Sequence, residues 1–169
     1  MPSDLTTVLG RLLAEPELRA EWRRDPESTA RTLDADPAVL ASLDPVELEH
    51  QAETLVEKRF HEVTRLLPRT IAMLGVDAAA IFRDHAARFW PEGHRRHADD
   101  ALTFGRRLEE HRRPHSPSEL HRLRFARGER RFSAAFVKDA WVGGRTRCAL
   151  QVLYRRGGAV RSFALYLGF

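Results

Sequence analysis

Eight histidines and one cysteine are the residues in this 169-residue chain best suited to metal or nucleophilic chemistry. His94 and His97, in the run His94-Arg95-Arg96-His97, stand at i, i+3 spacing, and His111 with His115 follow not far behind. His115 follows Pro114 in a loop, and no carboxylate sits at an established ligand spacing beside them. These histidines therefore read as part of a polar, arginine-flanked loop. His85 falls among apolar residues at helical spacing, which suits a hydrogen-bonded core histidine better than a catalytic base. Cys148 sits mid-strand between Arg147 and Ala149, where a small buried hydrophobe is the expectation and a nucleophile is not. The paired acids Asp99-Asp100 and Glu109-Glu110 are sequence neighbours and point to different sides of a helix, so neither makes a carboxylate dyad. The sequence has no phosphate loop, no nucleophile elbow, no dinucleotide fingerprint and no H-E-x-x-H zinc motif. The expectation is a non-catalytic chain with no catalytic residues, no metal ligands and no cofactor of its own.

The elements that would carry these residues change character once along the chain. Asp25-Pro26, Asp36-Pro37 and Asp44-Pro45 each place an N-cap before proline at the first helical position, marking three helix starts. Before them, Leu5, Val8, Leu9, Leu12 and Leu13 recur at helical spacing, and Pro16 opens a second short helix that buries Leu18 and Trp22. A long helix follows over 45–67, striped by Leu48, Ala52, Leu55, Val56, Phe60, Val63 and Leu67. Pro68 breaks it, a brief turn with Ile71 and Leu74 ends at Gly75, and further helices follow to Pro91, over 98–111, and from Pro117. After Arg131 the period becomes two. Residues 132–137, 146–154 and 159–167 read as strands, the last two joined by Arg156-Gly157-Gly158, with a second glycine turn at Trp141-Val142-Gly143-Gly144. The fold class is α+β, a helical bundle followed by a small antiparallel sheet, divided as 1–43, 44–127 and 128–169.

Composition excludes several classes of protein. No apolar run approaches the roughly 20 residues that span a bilayer, and the first residues lack a signal peptide's basic head, so a cytoplasmic location without membrane association is expected. One cysteine permits no internal disulfide, which fits a reducing compartment. The formal net charge of +4 is carried almost wholly by arginine, as in proteins of GC-rich bacterial genomes, and it is interleaved with acids. The densest basic stretch is Arg122, Arg124, Arg127, Arg130 and Arg131. Its aromatics, Phe125 and Phe132, form no base-stacking platform, which makes nucleic acid an unfavoured partner.

Residues 58–111 carry an Arg59-Phe60 helix start, a leucine-rich run ended by Pro68, Leu74-Gly75, an aromatic helix ending in Phe89-Trp90-Pro91, and an acid-led helix with Ala101 and Phe104. This pattern resembles the helical domain of the partner proteins of multinuclear non-heme iron oxidative enzymes that modify ribosomally made peptides. That helical domain was once labelled DNA-binding. The resemblance implies a partner with no active site that docks on the iron-dependent oxidase and helps hold the precursor's leader peptide by strand pairing. Under it, Arg147, Gln151, Arg161, Phe163, Leu165 and Tyr166 are the candidate contacts to an acidic leader, and Phe132 and Phe136 pack the sheet onto the bundle. A DNA-binding regulator using 122–131 and a small metal-dependent enzyme using His85, His94 or His97 are the alternatives.

Overall fold

The computed structural model describes residues 4–142 and 144–166. Its elements in chain order are α1 (Leu5–Ala14), α2 (Pro16–Arg24), α3 (Pro26–Leu33), α4 (Pro37–Ala41), α5 (Pro45–Leu66), α6 (Pro68–Leu74), a 3₁₀ turn (Gly75–Asp77), α7 (Ala78–Ala86), α8 (Arg96–Glu110), α9 (Pro117–Arg127), β1 (Phe132–Val142), β2 (Arg145–Arg156) and β3 (Ala159–Leu165). The fold is α+β, as its sequence pattern indicates. Proline opens α2 to α6 and α9, where its missing N–H costs no intrahelical bond. The three Asp-Pro pairs act as caps: Asp25, Asp36 and Asp44 accept from the backbone N–H of Ser28, Ala38 and Val46 at 2.9, 2.9 and 2.8 Å.

The chain forms two compact units, the first containing residues up to Phe60 together with Phe82–Trp90, the second His61–Ile81 with everything from Pro91. α9 packs on the sheet, so the last helix and the strands share the second unit. In the first unit, Val8, Leu12, Leu18, Trp22, Ala30, Leu33, Leu40 and Leu48 form the core, each large side chain contributing about 1.5–3 kcal/mol of burial. Two buried arginines complete it. Arg19 donates to the carbonyls of Leu12 and Leu13 at 2.9 and 3.1 Å, satisfying the end of α1, and to Glu49 at 3.2 Å. Arg59 donates to the Phe89 carbonyl at 2.8 Å while its guanidinium lies 5.1 Å from the Trp90 ring centroid.

In the second unit the starts of α6 and α9 are tied together. Glu119 accepts from the backbone N–H of Arg69 and Thr70 at 2.7 and 2.9 Å, and the Ser116 N–H donates to Thr70 Oγ1 at 3.0 Å. Residues 68–74, a turn by sequence, are therefore a complete short helix with its N-terminus capped from a distance. Gly75 follows it at φ +60° and ψ −135°, a positive-φ conformation open to glycine but not the left-handed helical cap that usually ends a helix.

The sheet is antiparallel in the order β1-β2-β3. Gly157 and Gly158, at φ +57° and +78°, supply the two positive-φ positions of a tight β2–β3 turn. β1 extends well past residue 137, to Val142. Its register with β2 shifts between Val137 and Ala140, and this bulge lets the strand resume pairing after Asp139 turns inward. Of the second glycine turn, Gly144 has φ +76°, whereas Gly143, like Leu167 at the far end of the third strand, lies outside the described residues.

Candidate functional site

The sheet has two unlike faces, and α9 covers the one built from small residues. His121 on α9 sits with Nδ1 2.8 Å from Gln151 Oε1 and Nε2 2.9 Å from Ser133 Oγ. Arg155 donates to the carbonyls of Phe125 and Ala126 at 3.0 and 2.9 Å, closing the C-terminal end of α9. Ser133, Gln151 and Arg155 therefore turn toward the helix. By alternation Ala135, Val137, Ala149 and Leu153 lie on the same face, and the last three are buried. Asp139, in the bulge, is buried against the start of α9. It accepts from the Ser118 N–H and Ser118 Oγ, each at 2.9 Å, and from Ser116 Oγ.

The opposite face carries the large apolar side chains. Phe132, Ala134 and Phe136 on β1 stand in register with Tyr154, Val152 and Leu150 on β2, which in turn face Arg161, Phe163 and Leu165 on β3. Phe132 and Phe136 are 61% and 77% exposed, Phe163 and Leu165 47% and 48%. Only Val152, at the centre, is buried, and the Tyr154 and Phe163 rings meet edge-on at 6.3 Å. The expectation that Phe132 and Phe136 pack the sheet onto the helices is thus corrected. Close approach of α9 selects the small-residue face and leaves the phenylalanines outside. Cys148 shares their outward parity and is exposed, not the buried hydrophobe expected of a mid-strand cysteine.

The six sequence-selected contacts divide between the faces. Arg161, Phe163 and Leu165 lie together on the outward face. Gln151 is engaged by His121 on the helix side, and Arg147, of the same parity, stacks over the Tyr166 ring at 4.6 Å. Phe132, Phe136, Leu150 and Tyr154 complete the outward patch. Strand alternation pairs them with Phe163 and Leu165, but it does not tell which face a helix covers.

The other candidate groups are accounted for by local structure. His85 is buried with its ring 5.5 Å from those of both Phe82 and Phe89, as a core histidine. Among the described residues, no group of three or more His, Cys, Asp and Glu side chains is arranged to hold a metal ion. Within the 122–131 stretch, Arg124 pairs with Glu109 and Arg127 with Asp99 at 2.6 Å, and that bond holds the Asp99 carboxyl below its ordinary range. A cavity of about 310 Å³ in the first unit is bordered by Arg19, Glu49, Glu53 and Trp90, with Glu49 already bound by Arg19 and Arg23. No described helix is long and apolar enough to cross a membrane. No family model, curated protein or solved structure matches the chain.

Proposed function

We propose that this chain is a non-catalytic accessory protein of ribosomal peptide modification, which binds an acidic precursor leader peptide and docks on a multinuclear non-heme iron oxidative enzyme. The residue pattern over 58–111 supplies the family resemblance. The observation that carries the reading further is the three-stranded sheet, whose outer strands can accept another strand and whose exposed side chains mix phenylalanine, leucine and arginine. An extended peptide gains main-chain hydrogen bonds at such an edge and side-chain specificity from its neighbours. β3 is the better acceptor, because its register with β2 runs without a shift from Leu150↔Leu165 to Arg156↔Ala159, whereas β1 is interrupted by its bulge. Arg161, Phe163 and Leu165 would then border the bound leader, with Arg147 and Tyr166 near its end. On this reading the chain works in the cytoplasm, needs no cofactor and does not act on nucleic acid.

The test is co-purification of the tagged chain with a multinuclear iron oxidase from its gene neighbourhood, together with calorimetric titration of the precursor leader at two salt concentrations. A stable complex and a leader affinity lowered by Arg161→Glu are expected. Absence of both, with DNA binding that falls steeply as salt rises, would replace the reading with that of a regulator.

A further inference from the structure

The outward face of the sheet poses a question separate from its edge. Phe132 and Phe136 on β1 and Phe163 and Leu165 on β3 expose between 47% and 77% of their surface on either side of β2, where a folded chain would ordinarily bury them. With strands about 4.8 Å apart and a rise of about 3.3 Å per residue, the Cα grid beneath them measures roughly 10 by 13 Å. That is a flat surface, not a one-strand edge. The segment that carries it is cationic: residues 128–169 hold eight arginines and lysines against Glu129 and Asp139, a net of +6, while the preceding 127 residues hold 20 against 22, a net of −2. Asp139 is buried on the opposite face, whereas Arg156 and Arg161 share the patch's outward parity and are exposed, and exposed Arg131 directly precedes Phe132.

We infer that this outward face is the surface on which the partner enzyme docks, through a contact area that is apolar at its centre and acidic around it. The inference rests on the accessory reading, for which it names the enzyme's footprint, centred on Phe132 and Phe136 of β1 and meeting the leader's place at Phe163 and Leu165 of β3. Three observations select this occupant. A second copy of the chain would bring Arg131, Arg156 and Arg161 against their own counterparts, and an apolar centre this small falls well short of the roughly 800 Å² per partner that a stable interface covers, so the rim must also be in contact. A nucleic acid would match the charge and could stack on Phe132, Phe136 or Phe163, but Leu150 and Val152 between these rings and Leu165 beside them are aliphatic, so the rings form no continuous platform and oligonucleotide binding is an outcome of the test. A leader strand at β3 would lie beside Phe163 and Leu165, two strands away from Phe132 and Phe136, which only a broader partner reaches.

The experiment compares the full-length chain with its Phe132→Ser/Phe136→Ser variant, measuring oxidase binding by biolayer interferometry and leader binding by calorimetry. Circular dichroism verifies that both fold, which the exposure of the two side chains favours. Oxidase affinity falling about 30-fold or more, the signature of central anchor residues, with leader affinity unchanged within about twofold, is the expected result. Loss of leader binding with the oxidase complex intact would give the face to the peptide and overturn the inference while leaving the accessory reading standing. Unchanged oxidase binding would overturn it as well, as would a wild-type dimer in sedimentation that the variant abolishes, or oligonucleotide binding that the variant loses. A wild-type chain that binds neither oxidase nor leader defeats the accessory reading itself, and the footprint with it.

Discussion

Asp139 does more for the second unit than any exposed charge on it. Its buried carboxylate takes the Ser118 N–H and the hydroxyls of Ser116 and Ser118, so the bulge of β1 supplies part of the N-terminal cap of α9. Asp139→Ala leaves a buried backbone donor and two hydroxyls without that acceptor, an expected loss of about 2–4 kcal/mol in urea unfolding, and Ser118→Ala should cost less because the Ser116 and backbone contacts persist. Phe136→Ser should change stability by less than about 0.5 kcal/mol despite deleting a large apolar side chain, since the ring is mostly in water already. The Asp99–Arg127 pair has a direction in pH. Asp99 is lowered by its bond to Arg127, so the pair stabilises the fold above the unfolded carboxyl pKa of about 3.9 and stops doing so as pH falls through the lower folded value. Thermal melts should place Asp99→Asn below wild type at pH 6, with the two converging as the pH falls through the lowered folded value of Asp99.

Helix contact in the second unit turns on one glycine. A Cβ at Gly105 of α8 would lie 2.2 Å from Leu120 Cδ2 of α9, and Leu120 is fully buried. Gly105→Ala gains about 1 kcal/mol of helix propensity but overpacks the contact at a cost of about 1–3 kcal/mol, so a net loss near 1 kcal/mol is expected. In a Leu120→Ala background the same change should become stabilising, which a double-mutant cycle reads directly. Most elements of this kind were legible beforehand: the Asp-Pro pairs announce α3, α4 and α5 in residue types alone, and Gly157-Gly158 announces the β2–β3 turn. What escaped the sequence was long-range. Residues 68–74 are helical because Glu119, about 50 positions away, caps them, and β1 continues to Val142 because Asp139 is drawn into α9. The candidate site was legible only as two alternating faces. Phe132 and Phe136 look like core by type, and only the approach of α9 to Ser133, Ala149 and Gln151 shows that they are not.

Charge is distributed unevenly over the whole chain, and the consequence is kinetic. A net of +6 in the last 42 residues against −2 in the first 127 concentrates positive potential around the sheet, although the total of +4 looks unremarkable. Potentials of this kind steer encounter with an acidic partner, raising the association rate while leaving dissociation to the desolvated apolar centre. The two contributions are therefore separable by where a substitution falls. Reversal of Arg131, Arg156 and Arg161 to glutamate should slow association with the proposed acidic partner enzyme by about tenfold or more at low salt and flatten its salt dependence, with dissociation little changed. Phe136→Ser should do the opposite, speeding dissociation and leaving the association rate and its salt slope near wild type. Stopped-flow traces for both variants at 50 and about 300 mM salt decide the matter. If the arginine variant instead alters only dissociation, its guanidinium groups are buried contacts and not a steering rim, and the sheet recognises its partner by local pairing, not by the field of the molecule.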